Sequence, residues 1–200
     1  MKVNCSVLVL AGGNSERMKF PKPFLQIGKV TFSEKICDVY RHAGVKEIYA
    51  VMNKEYLTGK WESNTASLKS YVKFIENTNQ ELGRFHSVKL GAEKMKDADY
   101  CFIQNIDNPF ISEEVISLLW NNRIRNGYVS PVCNMNSGHP ILISNEIIRW
   151  INDSPDENIS LRDVLKKFQN KKIETKDEMI LCNINTKEDF EKYIGTYELK

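Results

Sequence analysis

Three features of the chain predict an α/β fold. Strand-like and helix-like segments alternate along most of its length. No repeat, low-complexity tract or linker interrupts them. The first strand empties into a glycine-rich loop. Together they predict a three-layer α/β/α arrangement around a mostly parallel sheet, in one domain spanning residues 1–200. A chain of this length builds one core and buries roughly 70% of the surface its unfolded form exposes. In such sheets ligands gather outside the carboxyl ends of the strands, where loops are free to carry chemistry.

The elements follow in order. "SVLVL" is an apolar run and reads as the first strand. "TFSEKICDVYRHAG" places Phe32, Ile36, Val39 and Tyr40 at helical spacing and stops at Gly44. "KEIYAVM" and "YVKFIE" read as strands, with a polar stretch between them. "RFHSVKLGAEKM" reads as a helix with Val88, Leu90 and Met95 inward, although His86, near its start, is taken as a loop residue. "YCFIQNI" is a strand ended by Asp107-Asn108-Pro109. "SEEVISLLWNNRI" is a helix with Ser112 at its N-cap and acids in its first turn. "YVSPVC" and "PILIS", joined by the turn-rich "NMNSGH", predict a hairpin or an antiparallel insertion. "NEIIRWIN" and "SLRDVLKKF" read as helices. "KKIET" and "MILCNIN" read as short strands, and "TKEDFEKYIG" as a last helix capped by Thr186.

Composition excludes several classes. Lys and Arg total 28 against 26 Asp and Glu, a net charge of +2. That balance gives no bulk attraction to nucleic acid or anionic membrane, so any anion site must be local. The five cysteines form no C-x-x-C pair and their number is odd, which predicts a reducing, cytoplasmic setting without a structural metal. The amino-terminal apolar run is too short for a signal sequence, and no stretch approaches membrane-spanning length.

The chemistry starts in "VLVLAGGNSERMKFPKPFL". Gly12 and Gly13 remove the side chains that would keep backbone N–H groups from phosphate oxygens. Arg17 presents a planar fork for two oxygens and Lys22 a point charge. The loop therefore reads as a polyphosphate cradle, although neither G-x-x-x-x-G-K-[ST] nor G-x-G-x-x-G is present.

The stretch "LAGGNSERM" followed by "PK" resembles the L-x-G-G-x-[ST]-x-R-M-x-x-x-K signature of nucleotidyltransferases. It is most similar to that of the molybdenum-cofactor guanylyl- and cytidylyltransferase group. Leu10, Ala11, Gly12, Gly13, Ser15, Arg17, Met18 and Lys22 fall on that signature; Lys19 stands where the group usually has glycine. "GRFHSVKLG" (Gly83, Ser87, Gly91) resembles the group's station near base and ribose. "NIDNPF" (Asp107) resembles its metal station, and "GHPILIS" (His139) its Gly-His-Pro turn. "NINTKEDF" (Asn183, Asn185) resembles its late station, where many relatives carry Asp.

The resemblance implies a Rossmann-like fold of the nucleotide-diphospho-sugar-transferase type. It implies a Mg²⁺-dependent transfer of a nucleoside monophosphate, from CTP or GTP, to a small phosphorylated acceptor such as molybdopterin. Arg17, Lys22 and Asp107 would be catalytic, with Mg²⁺ on Asp107. Leu10, Ala11, Gly12, Gly13, Ser15, Lys19, Gly83, Ser87, His139 and Asn185 would contact nucleotide or substrate. Neither nucleic acid nor membrane enters the reaction, and the protein would act as a monomer or homodimer. "PKPFLQIGK" is also similar to a segment of methylerythritol-phosphate cytidylyltransferases, so that acceptor, a sugar phosphate, or a non-catalytic nucleotide-binding role stand as alternatives.

Overall fold

The computed structural model describes residues 4–155 and 159–198, the last four as backbone alone. β1 (Cys5–Ala11) leads through two 3-10 turns into a small hairpin, β2 (Gln26–Ile27) and β3 (Val30–Thr31), and then α1 (Phe32–His42). β4 (Glu47–Asn53), α2 (Lys54–Leu57), a 3-10 segment (Gly59–Thr65) and β5 (Val72–Asn77) follow. Next come α3 (Gly83–Lys94), β6 (Tyr100–Asn105) and α4 (Glu113–Asn121). β7 (Gly127–Cys133), β8 (Asn136–Ser137), β9 (Ile141–Ser144), α5 (Asn145–Asp153), α6 (Leu161–Leu165), β10 (Gln169–Glu174) and α7 (Lys187–Glu198) complete the chain.

The expected mostly parallel sheet is present. Its strands run in the order β10-β7-β9-β6-β1-β4-β5, with β8 paired to β7. β1 is parallel to both neighbours, with Val7 opposite Ile48 on one side and Phe102 on the other. Along this path only β9 runs against its neighbours, which is the antiparallel insertion expected from "YVSPVC" and "PILIS". Side chains alternate across a strand. Val7, Val9 and Ala11 thus pack with Phe32, Ile36 and Tyr40 of α1 on one face. Leu8 and Leu10 pack with Phe85 and Val88 of α3 and Ile147 of α5 on the other. Those two cores lie between the three layers, one on each face of the sheet.

Local chemistry sets the helix starts. Thr31 and Glu34 form a reciprocal capping box that begins α1. Ser112 Oγ accepts from Val115 N at 3.3 Å to begin α4, and Thr186 Oγ1 accepts from Asp189 N at 3.2 Å ahead of α7. Gly91 brings α3 close to β1: a Cβ there would sit 2.3 Å from Leu8 Cδ2. That close approach carries the first turn of α3 to the carboxyl end of β1.

Two sequence readings are corrected. "MILCNIN" is no strand. Residues Glu178–Leu181 form a 3-10 turn, and the backbone beyond is bound to the β6–α4 loop. Asn108 Nδ2 donates to the carbonyls of Met179, Ile180 and Cys182, and Ile184 N donates to Asp107 O at 2.7 Å. These partners take the place of a sheet ladder. His86 lies within α3 and not in a loop, because the helix already begins at Gly83. The polar stretch after β4 also folds: Trp61 stacks on Phe24 with ring centroids 5.5 Å apart, buttressing the segment that follows the glycine loop.

Candidate active site

The carboxyl ends of β1, β5 and β6 open onto a cleft of about 250 Å³. Leu10, Ala11, Gly12, Gly13, Ser15 and Lys22 line it from the first loop. Gly83, Arg84 and Ser87 line it from α3, and Asn77, Asn105 and Asp107 from the strand ends. Gly12 is obligatory for packing. A Cβ there would lie 2.8 Å from Ser87 Oγ and 3.0 Å from Asn77 Nδ2, which are hydrogen-bonded to each other at 3.1 Å. Gly13 is different: a Cβ there would project into open space, so its backbone is bare toward solvent. Ser15 Oγ accepts from Lys22 N at 3.0 Å and so closes the loop around its cations.

Lys22 Nζ donates to Asn185 Oδ1 at 2.8 Å, and Arg17 donates to the same oxygen at 3.2 Å. The amide of the late station thus gathers both cations at the cleft edge. Asn183 does not join them; its exposed side chain turns back to Leu181 O. Burial pulls the Lys22 ammonium below the ordinary lysine range; Asp107 opposes this, Arg17 reinforces it and Asp189 opposes it. Asp189 is itself held by the backbone N–H groups of Asn185 and Thr186, at 3.0 and 2.9 Å.

Asp107 follows β6 and faces the cleft that Lys22 and the glycine loop also face. Its Oδ1 is buried and has no hydrogen-bond partner. A buried carboxylate oxygen without a donor is costly, a cost that a bound cation could offset. Among the described residues no three acidic, Cys or His side chains converge. A lone carboxylate is nevertheless the donor set suited to Mg²⁺, which takes one or two carboxylates plus phosphates and water.

A second cavity, of about 940 Å³, adjoins the first and shares Gly83 and Arg84 with it. His139 lines this cavity, and its Nδ1 is buried without a partner. Burial pulls the imidazole down to about 4; Arg84 adds to the shift and Asp107 opposes it. Between pH 6.5 and 4 the unfolded chain therefore binds a proton there that the folded chain refuses. Stability is full near pH 7 and falls as pH drops through that window, by about 3 kcal/mol at most. In urea titrations at pH 7 and 4.5, His139→Gln should lose less stability between the two than the parent. Equal losses would remove His139 as the cause.

Residues 7–173 match the MobA-like NTP transferase domain family. The chain belongs to this family. It is 27% identical over 140 residues to the bifunctional protein GlmU of Clostridioides difficile (strain 630), covering 69% of this chain and 29% of that protein. It is 28% identical over 125 residues to the 2-C-methyl-D-erythritol 4-phosphate cytidylyltransferase of Lachnospira eligens, covering 60% of this chain and 53% of that protein. The match thus spans about half or less of these curated relatives. A solved structure described as a nucleotidyl transferase from Methanothermobacter (Mth528) superposes with a TM-score of 0.80 at 17% identity, over 98% of both chains. That likeness is one of fold.

In this MobA-like domain Lys19 occupies the left-handed region, with φ 54° and ψ 15°, at the end of the 3-10 turn Glu16–Met18. Only glycine takes that conformation without strain, which is a physical reason for the glycine usual in the resembling group. Lys19 is exposed and does not line the 250 Å³ cleft. Lys19→Gly should therefore raise unfolding stability by up to about 1 kcal/mol and leave triphosphate affinity nearly unchanged. A drop in affinity that grows at low salt would instead make Lys19 a phosphate contact.

Sequence reasoning missed Arg84, Asn77 and Asn105 in the cleft and Asn108 beside it. Arg84 reaches both cavities, and its guanidinium donates to Asn105 Oδ1. Asn77 holds Ser87, and buried Asn108 holds the turn after β10. Beneath them Tyr40 donates to Gln104 Oε1 at 3.0 Å, and Gln104 donates to the carbonyls of Asn105 and Asn108. The one available signal was the run of amides at strand ends, "QN" closing β6, "DN" just after it and "EN" closing β5. Such amides pair with backbone where a loop departs from a buried strand.

Proposed function

We propose that this chain transfers a nucleoside monophosphate from CTP or GTP to a small phosphorylated acceptor, such as molybdopterin, releasing pyrophosphate. The observation that carries the reading is the unpartnered Asp107 oxygen in the cleft that also holds Lys22 and the bare Gly12–Gly13 backbone. An ionised oxygen of the acceptor phosphate attacks the α-phosphorus. The α–β bridging P–O bond breaks, and pyrophosphate leaves with its electron pair. Such a reaction asks the protein for positioning and charge neutralisation.

The chain's own residues divide that work. The Gly12 and Gly13 amides cradle the triphosphate. Lys22 and Arg17 neutralise the oxygens that become pyrophosphate. The start of α3 carries no side-chain cap and no acid in its first turn, so its positive dipole end favours an anion. Arg84 stands between donor and acceptor. His139, neutral near pH 7, orients the acceptor by hydrogen bonding. A phosphate acceptor is already ionised and needs no general base. Asp107 would hold Mg²⁺, which would supply further charge neutralisation when bound. The name of one curated relative, the 2-C-methyl-D-erythritol 4-phosphate cytidylyltransferase, favours a second acceptor class, a methylerythritol phosphate.

The same reading takes residues 1–200 as one nucleotidyltransferase domain, working in the cytoplasm as a monomer or homodimer. Five buried, unpaired cysteines support a reducing compartment. Among the described residues no helix is long and apolar enough to cross a membrane. Thermal shifts with each nucleoside triphosphate and Mg²⁺ test the donor. A ligand at 100 times its Kd adds about 2.7 kcal/mol. CTP or GTP should give the largest shift, and no shift with any triphosphate would overturn the reading.

A further inference from the structure

The loop that carries Arg17 and Lys22 has a costly backbone shape. Ser15 (φ 54°, ψ 31°) and Lys19 (φ 54°, ψ 15°) both lie in the left-handed region, on either side of the 3-10 turn Glu16–Met18. Neither is glycine, so each carries strain that its surroundings must offset. The hydrogen bonds within the turn, Met18 N to Ser15 O at 3.0 Å and Lys19 N to Glu16 O at 3.2 Å, tie the loop only to itself.

Support from outside comes from the segment after β4, at both ends of the loop. Ahead of the turn, the Tyr56 hydroxyl donates to Asn14 O at 3.1 Å and Asn53 Nδ2 donates to Asn14 Oδ1 at 3.2 Å. Beyond the turn, aromatic rings take over. Phe20 stands edge-on to Trp61 with centroids 5.3 Å apart, and Trp61 stacks on Phe24 at 5.5 Å. Phe24 in turn meets the Tyr56 ring at 5.9 Å. The row thus runs from Phe20, 40% exposed, to buried Phe24 and Tyr56. Such ring pairs stabilise beyond the area they bury. Lys22 lies between Phe20 and Phe24 in the chain, and Trp61 touches both of those rings. Trp61 itself lines neither the 250 Å³ cleft nor the 940 Å³ cavity.

Building on the proposed triphosphate cradle, we infer that Trp61 is a positioning residue: wedged between Phe20 and Phe24, it keeps the strained cation loop in the shape that aims Lys22 and Arg17 at phosphate. It acts through the loop and touches no ligand in either cavity. Without it the left-handed residues relax, and the two cations lose their common place at Asn185 Oδ1. A shift of about 1 Å in groups that orient a ligand is enough to cost on the order of a hundredfold.

Limited trypsin digestion of the full chain without ligand, beside calorimetric titration with inorganic tripolyphosphate, tests this. Exposed Lys176, in the loop after β10, serves as the reference cleavage site. Trp61→Leu should raise cleavage after Arg17 and Lys19 about tenfold or more relative to cleavage after Lys176, and weaken tripolyphosphate binding about tenfold or more. Trp61→Phe keeps a ring between Phe20 and Phe24 and should bring both readouts to within about threefold of the parent. Phe20→Ser removes only the exposed end of the row, so the buried stack stands, and it should give the same pattern in smaller measure. Cleavage that rises equally at all three sites would make Trp61 a general packing residue and overturn the inference. Unchanged cleavage or unchanged tripolyphosphate affinity in Trp61→Leu would overturn it too, as would a phenylalanine variant that behaves like the leucine one. A parent that binds no tripolyphosphate would instead sink the cradle and the transferase reading, while the cleavage pattern still decides whether Trp61 holds the loop.

Discussion

Asp107→Asn should lower nucleotidyl-transfer turnover by about a hundredfold or more, while triphosphate affinity changes by less than about tenfold. The substitution keeps the size of the side chain and removes its charge. It also keeps the backbone bond from Ile184 N to Asp107 O at 2.7 Å that ties the late loop to the end of β6. Thermal stability should accordingly stay close to that of the parent. Charge builds on the phosphate oxygens most strongly in the transition state, and a carboxylate-held cation matters most there. Steady-state turnover read beside calorimetric nucleotide binding separates the two effects. Equal loss of binding and turnover would make Asp107 a nucleotide-binding residue only, and unchanged turnover would remove it from the site.

Lys22→Ala should weaken triphosphate binding on the order of 10–100-fold, the value of one hydrogen bond to a charged partner. The position is half-buried, and its Nζ donates to Asn185 Oδ1 at 2.8 Å, so the ammonium is held in place before a ligand arrives. Arg17 is exposed and shares Asn185 Oδ1 with it. Water and salt screen an exposed charge more strongly than a half-buried one. Arg17→Ala should thus cost less than Lys22→Ala, and its effect should shrink more between low and high salt. Calorimetry of both variants at two ionic strengths checks the order. A larger, salt-insensitive effect at Arg17 would move the centre of the cradle to the outer rim.

What the sequence disclosed and what it hid have physical causes. The first loop was legible because its residues act locally: glycines strip the backbone, and the cations follow within a few positions. Asp107 was legible because it ends an apolar strand. The antiparallel insertion showed as two extended runs around a turn-rich link. The segment after β10 misled because a short apolar run reads alike whether its backbone pairs with a sheet or, as here, with the amide of Asn108. Arg84 was hidden because an arginine in the first turn of a helix looks like any solvated charge; only the fold brings it between two cavities. His86 slid from loop to helix because α3 starts without a side-chain cap to mark its first turn. Lys19 departs from the resembling group's glycine in the sequence, but the strain that gives the departure meaning resides in a φ angle.

The central claim is that Asp107, Lys22 and the Gly12–Gly13 backbone hold one metal-bound triphosphate. A crystal structure with a non-hydrolysable triphosphate and Mn²⁺, with anomalous data collected for the metal, tests it most directly. The phosphates should lie against the Gly12 and Gly13 amides with Lys22 in contact, and the anomalous peak should fall within bonding distance of an Asp107 carboxylate oxygen. A nucleotide bound elsewhere, or a metal peak on the triphosphate but away from Asp107, would contradict the account.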